Sequence, residues 1–212
     1  MRSQPISTKR DASGTPRVGR ARSTTADELG RIGLALFIER GFDNVTVDDI
    51  ADAAGIGRRT FFRYFPSKND LPWGDFDTLL ARMRDHLDAV PDDVPLFDAL
   101  RTAVVDFNRF PEDQVDAHRR RMAVLLRTPT LVAHSALRYE SWRRVLAEFV
   151  ARREATSPDD LRPSAVAWAC LGISLAAYDR WLACDDAVLT DLIDTGFVEM
   201  QAVFSRAVTG AV

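Results

Sequence analysis

The apolar residues of this chain recur at helical spacing from Thr25 almost to the carboxyl end, and no run of alternating β-branched residues interrupts them. Over 25–40, Leu29, Ile32 and Leu36 fall three and four residues apart, Phe37 widens the stripe, and Gly41 closes it. Thr25 with Glu28 has capping-box spacing, as do Thr46 with Asp49 and Ser67 with Asp70. The second box opens a short helix at 47–54 whose inward residues are Val47, Ile50, Ala51 and Ala54. Gly55-Ile56-Gly57 breaks it, and a further helix at 58–65 stops at Pro66, because a residue before proline avoids helical geometry. Two short helices joined by such a turn make a helix-turn-helix. Beyond it the spacing predicts helices near 67–90, 96–110, 112–127, 130–154, 163–183 and 188–207. Pro91, Pro95, Pro111, Pro129, Pro158 and Pro163 fall between them or at their starts, where proline is tolerated. The expected fold class is all-α with about nine helices. It divides into an arm at 1–22, a helix-turn-helix unit at 23–66 and a helical ligand-binding and dimerisation domain at 67–212.

At about 100° per residue, the helix at 58–65 sorts into faces. Phe61 and Phe65 share the inward side, Arg59 and Arg63 the outward side, with Arg58 and Phe62 on one flank and Thr60 and Tyr64 on the other. A helix of this length, about 12 Å, fits lengthwise into the major groove of DNA. Arg58 and Arg59 at its amino end have the fork that reads guanine O6 and N7, and Phe62 suits a thymine methyl. Thr60, Tyr64 and Lys68 are the polar groups toward the sugar-phosphate backbone, and Arg63 completes the basic outer face. Free backbone N–H groups at Thr46, and at Ser67 and Lys68, would bind phosphate at two helix starts.

Composition changes this picture little. The 212 residues are 46% hydrophobic and 28% charged, ordinary for a globular chain. The net charge of −3 argues against nucleic acid, but its distribution does not: 1–22 carries +5, 23–72 carries −2 and 73–212 carries −6. The 1–22 segment, rich in Ser, Thr, Pro, Gly and Arg with no apolar period, reads as a disordered basic arm. All basic residues are arginine except Lys9 and Lys68, a bias that a genome of high G+C content largely explains. The longest uncharged stretch, 163–178, is shorter than the roughly 20 residues a membrane helix needs. No apolar segment follows the basic residues of the amino end, so a cytoplasmic protein without membrane contact is expected. Cys170 and Cys184 have no metal-ligand spacing, and His86, His118 and His134 stand far apart with no phosphate loop or nucleophile elbow nearby. No metal, no cofactor and no catalysis are expected.

The stretch TVDDIADAAGIGRRTFFRYFPSKNDL at 46–71 resembles the signature of TetR-family transcriptional regulators, and with the first helix the likeness covers about 24–72. The resemblance implies a three-helix DNA-binding domain, an all-helical ligand domain and a homodimer on a palindromic operator. Carried over by motif position, Arg58, Arg59 and Phe62 would face bases, and Thr46, Thr60, Tyr64 and Lys68 would face phosphates. Position 62 is more often Tyr in the family; Phe keeps the methyl contact and lacks the hydroxyl. Two further stretches, LPWGDFDTLLARMRDHLDAV at 71–90 and AHRRRM at 117–122, resemble the regulators that accompany mycofactocin redox-cofactor biosynthesis genes in actinobacteria.

The family implies a ligand pocket between the middle helices. Candidate lining residues are Trp73, Phe76, Leu79, Leu80 and Met83, then Phe107, Met122 and Leu126, then His134, Leu137, Trp142, Trp168 and Tyr178. The alternative for each is plain core packing. Arg119-Arg120-Arg121 reads as a solvated face or as a basic mouth, with Arg119 at its edge, for an anionic ligand such as an acyl-coenzyme A ester, a class that several similar regulators sense. The helices at 163–183 and 188–207 carry more apolar residues than one face needs (Leu171, Leu175, Trp181, Leu192, Phe197, Met200 and Phe204), as a four-helix homodimer interface would require. The rival is a helical ligand-binding protein or enzyme whose amino-terminal domain no longer binds specific DNA.

Overall fold

The computed structural model describes residues 25–209, and the arm predicted at 1–22 lies outside them. Thr25 caps the first helix, α1 (Ala26–Arg40), its Oγ1 accepting the Glu28 N–H at 3.1 Å. After one 3-10 turn, α2 (Val47–Ala53) opens on a reciprocal box. Thr46 Oγ1 accepts the Asp49 N–H at 3.1 Å, and Asp49 Oδ2 accepts the Thr46 N–H at 2.8 Å. The next helix, α3 (Arg58–Tyr64), follows the turn at 54–57 and ends where Phe65 is extended ahead of Pro66. Buried Leu29, Phe37, Phe42, Val45, Ile50 and Phe61 fill the space among these three helices.

Six longer helices follow: α4 (Phe76–Asp88), α5 (Leu96–Phe107), α6 (Val115–Arg127), α7 (Pro129–Glu154), α8 (Leu161–Ala183) and α9 (Leu189–Thr209). The described residues thus form nine α-helices and no strand, the all-α architecture expected from the periodicity. The helix expected at 67–90 is a correction. Ser67 Oγ does meet Asp70 Oδ2, at 2.7 Å, but no α-helix follows the pair. Instead Leu71–Trp73 form a 3-10 turn with proline inside it, Gly74 takes φ +57°, and the α-helix starts only at Phe76. Proline withholds a backbone donor and the left-handed glycine reverses the path, so the capping signal is overridden.

That broken segment is also where the two parts of the chain meet. Leu71 is 1% exposed, and a Cβ placed on Gly33 of α1 would lie 2.5 Å from its Cδ1. The hydrophobic core runs on without interruption from Leu29 through Leu71, Met83, Val104, Leu146 and Trp181 to Phe197. Two polar links reinforce the joint. Asp70 takes hydrogen bonds from Ser67 and, at 3.3 and 3.4 Å, meets His134 Nε2 and Arg138 Nη2 on α7, while Thr130 Oγ1 donates to Asp43 at 3.2 Å. Burial alone would raise the Asp70 pKa, but Ser67 and His134 hold it below the ordinary carboxylate value.

Arginine has a structural use here that composition did not suggest. Arg101 forks onto Asp194 at 2.6 and 2.7 Å, tying α5 to α9. Others donate to carbonyls: Arg127 to Leu182 O at 2.9 Å and Arg152 to Leu87 O at 3.3 Å, each near a helix end, and Arg153 to Asp92 O and Val94 O of the α4–α5 loop at 2.8 and 2.6 Å.

Candidate functional site

The outer side of α3 is built as its spacing requires. Phe61 and Phe65 are 0% and 7% exposed and anchor the helix inward, which leaves Arg58, Arg59 and Arg63 in solvent with Phe62 44% exposed between them. Arg59 makes no hydrogen bond or ion pair among the described residues. Arg58 is held by Asp48 of α2 at 2.8 Å and lies 5.5 Å from the Phe62 ring centroid. Arg63 leans on Tyr64, its guanidinium 5.1 Å from that ring. Thr60 and Tyr64 are half-buried on the other flank.

The phosphate-facing groups are placed differently from the expectation. The Thr46 N–H is not free, because Asp49 accepts it. No helix begins at Ser67 or Lys68, so the second expected helix start is absent. The Lys68 ammonium donates to Phe42 O at 2.9 Å and Val45 O at 2.8 Å and sits 4.3 Å from the Phe42 centroid. It clamps the loop that leads into α2, with its third N–H left over for another acceptor.

Beneath the 3-10 turn, α4, α5, α6, α7 and α8 enclose a mostly apolar cavity of about 90 Å³. Trp73, Phe76, Leu79, Phe107, Met122, Trp142 and Tyr178 line it, as the sequence suggested. Its polar wall runs across three helices. Asn108 Nδ2 donates to Val104 O at 2.8 Å, which turns its Oδ1 toward the Tyr178 hydroxyl at 2.7 Å. That hydroxyl has spent its proton, so the 2.9 Å contact with His118 is donation from Nε2–H, and His118 Nδ1 is left a lone pair with no partner. Burial first, and the Arg121 charge second, push the His118 pKa down to about 3, so the ring is neutral. Phe110 stacks on it with centroids 3.8 Å apart. Asn108, Phe110 and His118 also face a second cleft of about 470 Å³, lined further by Arg109, Trp181 and Val188.

The remaining candidates do not line the cavity. Leu80 and Met83 are buried core, and Leu126, about 40° round α6 from Met122, packs half-buried against the core outside the cavity. Leu137 and Trp168 are 66% and 55% exposed; the Arg143 guanidinium lies 3.6 Å from the Trp168 ring centroid. His134 is engaged by Asp70. Arg119 is not at a mouth. Its guanidinium donates to the Trp181, Cys184, Asp185 and Ala187 carbonyls, capping the end of α8, and lies 4.3 Å from the Trp181 centroid. The arginine in the wall is Arg121, about 200° further round the helix. His118, Arg121, Met122 and Leu125 on α6, and Leu171, Leu175 and Tyr178 on α8, are the stripes that spacings of three and four would have found. Cys170 is a buried thiol whose pKa burial pushes up to about 12.

On α8 and α9, Leu171, Trp181 and Phe197 are used inside the subunit, and the Phe204 side chain lies outside the described residues. A solvent-facing groove remains, lined by Gly172, Ala176, Leu192, Gly196, Met200 and Val203. Among the described residues no group of His, Cys, Asp or Glu could hold a metal ion, and no helix is long and apolar enough to cross a membrane.

A three-helix unit presenting an arginine-edged helix, mounted on a helical body with an internal cavity, defines a helix-turn-helix regulator. Residues 32–71 match the bacterial regulatory proteins of the tetR family, and residues 94–205 match the MftR C-terminal domain. The chain belongs to the TetR family of transcriptional regulators, which are not enzymes. It is 48% identical over 190 residues, 90% of this chain and 96% of the relative, to the protein designated mycofactocin biosynthesis transcriptional regulator MftR of Mycobacterium tuberculosis. Two solved structures share the fold. FadR of Thermus thermophilus, a TetR-family repressor in complex with lauroyl-CoA, has a TM-score of 0.53 at 20% identity over 81% of this chain and 91% of that one. A TetR-family regulator from Syntrophomonas wolfei has a TM-score of 0.61 at 13% identity over 84% of this chain and 93% of that one.

Proposed function

We propose that this regulator is a cytoplasmic, ligand-released repressor that binds a palindromic operator as a homodimer and controls mycofactocin-related or neighbouring redox genes. The observation that carries the DNA-binding reading is α3 itself: two arginines at its amino end and an exposed Phe62, backed by a fully buried Phe61. In this reading Arg58, Arg59 and Phe62 contact bases. Thr60, Arg63, Tyr64 and the spare N–H of Lys68 contact the backbone, whereas Thr46, whose N–H Asp49 accepts, caps α2 beside it. Units at 23–66 and 67–212 then serve as reader and sensor. The M. tuberculosis relative supports the mycofactocin association.

The dimer uses the groove and exposed apolar residues of α8 and α9, the face that Trp168, Met200 and Val203 leave uncovered in a single subunit. The effector is a small apolar molecule or an acyl-CoA ester, supported by the apolar wall and by the lauroyl-CoA of the T. thermophilus protein. At about 90 Å³ the cavity is far below the roughly 300–1,000 Å³ of drug-sized sites. A long acyl chain therefore requires the Phe110–His118 wall to part and join the neighbouring cleft. Binding to that opened state shifts the population away from the operator-competent form.

A mobility-shift assay on DNA flanking the protein's own gene tests the reading. Sequence-specific binding lost in the Arg58→Ala, Arg59→Ala double variant supports it; unchanged binding in that variant overturns it.

A further inference from the structure

Arg121 carries a full positive charge into the apolar cavity wall, and no hydrogen-bond acceptor or carboxylate partners it among the described residues. Five other arginines of the helical body behave otherwise: Arg101, Arg119, Arg127, Arg138 and Arg153 all end on carboxylates or carbonyls. A half-buried guanidinium without a counter-charge is costly. Burial depresses its pKa, and the charge of Asp27, in the first turn of α1, opposes that effect. A second donor is idle in the same wall, the buried Trp73 Nε1–H. The cavity therefore holds one cation and one neutral donor that nothing among the described residues satisfies.

The position of Arg121 matters as much as its charge. A Cβ on Gly74 would lie 3.5 Å from an Arg121 terminal nitrogen. Gly74 directly follows the turn whose Leu71 fills the Gly33 notch of α1. Arg121 thus touches the cavity on one side and, through Gly74 and the field of Asp27, the DNA-binding unit on the other.

We propose, resting on the ligand-released reading above, that Arg121 reads the effector: with Trp73 it binds the anionic head of an otherwise apolar ligand, and in turning to that head it leaves Gly74 and Asp27 and so signals occupancy to α1. The shared chemistry is an anion on an alkyl chain, supplied either by a free fatty carboxylate or by the phosphates of an acyl-CoA.

The test uses the full chain and three probes of one chain length: dodecanoate, lauroyl-CoA and the neutral dodecanol. Binding is read from tryptophan fluorescence, since Trp73 and Trp142 line the cavity, and release is read on the operator. At least one anionic probe should bind and release DNA more strongly than the alcohol, and which of the two does so identifies the source of the anion. Arg121→Gln should weaken that probe about tenfold or more while the alcohol stays nearly unchanged. Arg121→Lys should recover most of the loss, and Asp27→Asn, at an exposed position, should tighten anion binding. If both anionic probes bind Arg121→Gln as tightly as the parent, or the alcohol matches them on the parent, the proposal is overturned. Should Arg121→Gln not fold, unchanged affinity in Asp27→Asn together with lost affinity in Arg121→Lys overturns it. Operator binding without any response to an anion overturns this inference and leaves the regulator reading standing. Absence of operator binding by the parent defeats that reading instead.

Discussion

Arg58, the first residue of α3, the helix proposed to read DNA, forms a 2.8 Å ion pair with Asp48 of α2. Both side chains are 60% exposed, so the pair is weak and easily exchanged for a base or a phosphate. In the proposed complex Asp48 competes for the arginine and adds a negative charge beside the phosphates. Asp48→Asn is therefore expected to raise operator affinity about three- to tenfold at low salt, and less as salt rises. A titration series over salt concentration checks it, and tighter binding that ignores salt would contradict the argument.

Lys68 has two roles that one substitution separates. Its hydrogen bonds to the Phe42 and Val45 carbonyls hold the loop ahead of α2, so Lys68→Ala is expected to cost about 1–3 kcal/mol in thermal or urea unfolding. Any phosphate contact by the third N–H carries no base information. Affinity should then fall alike across operator variants, with the salt slope reduced by about one.

His118 sets an acid limit on stability. The unfolded chain takes up its proton near the ordinary value of 6.5, whereas the folded ring does so only at about 3. Its contribution is thus complete above pH 6.5 and is lost as the pH falls toward 3, by up to about 1.4 kcal/mol per pH unit. His118→Gln should flatten the difference between urea unfolding at about pH 7.5 and about pH 5. An unchanged difference would place the acid sensitivity in the carboxylates instead.

Gly33 leaves room for Leu71, and a Cβ there would come within 2.5 Å of it. Gly33→Ala is expected to cost about 1–3 kcal/mol, because buried Leu71 has nowhere to retreat. Leu71→Val should also destabilise alone. In the double variant the losses should be less than additive, the sign of direct contact. Calorimetry on the four proteins measures the coupling.

What local chemistry controls was legible in the sequence. The Thr46–Asp49 box, the inward Phe61 and Phe65 and the stop at Pro66 each depend on residues within a few positions of one another. The cavity depends on neighbours far away in the chain, which local spacing does not reach. Trp168 and Leu137 are as apolar as any lining residue, yet periodicity says which residues share a face and not what that face meets. The capping role of Arg119, neither solvated face nor mouth, was not legible because the carbonyls that claim it belong to residues 181–187, outside any local window. The helix expected at 67–90 failed where a capping pair met Pro72 and Gly74, and backbone sterics outweighed the cap.

The arginines that close the end of α8 come from α6, the helix that also bears Arg121. The helix proposed to sense and a helix of the proposed dimer face are therefore bolted together at one end. In a dimer built on α8 and α9, a shift of α6 in one subunit cannot stop at its own boundary. It loads the shared interface and changes how readily the second subunit accepts its effector. Such a molecule would respond to its ligand with a Hill coefficient different from one, and cutting the bolts with Arg119→Ala and Arg127→Ala would return the two subunits to independence.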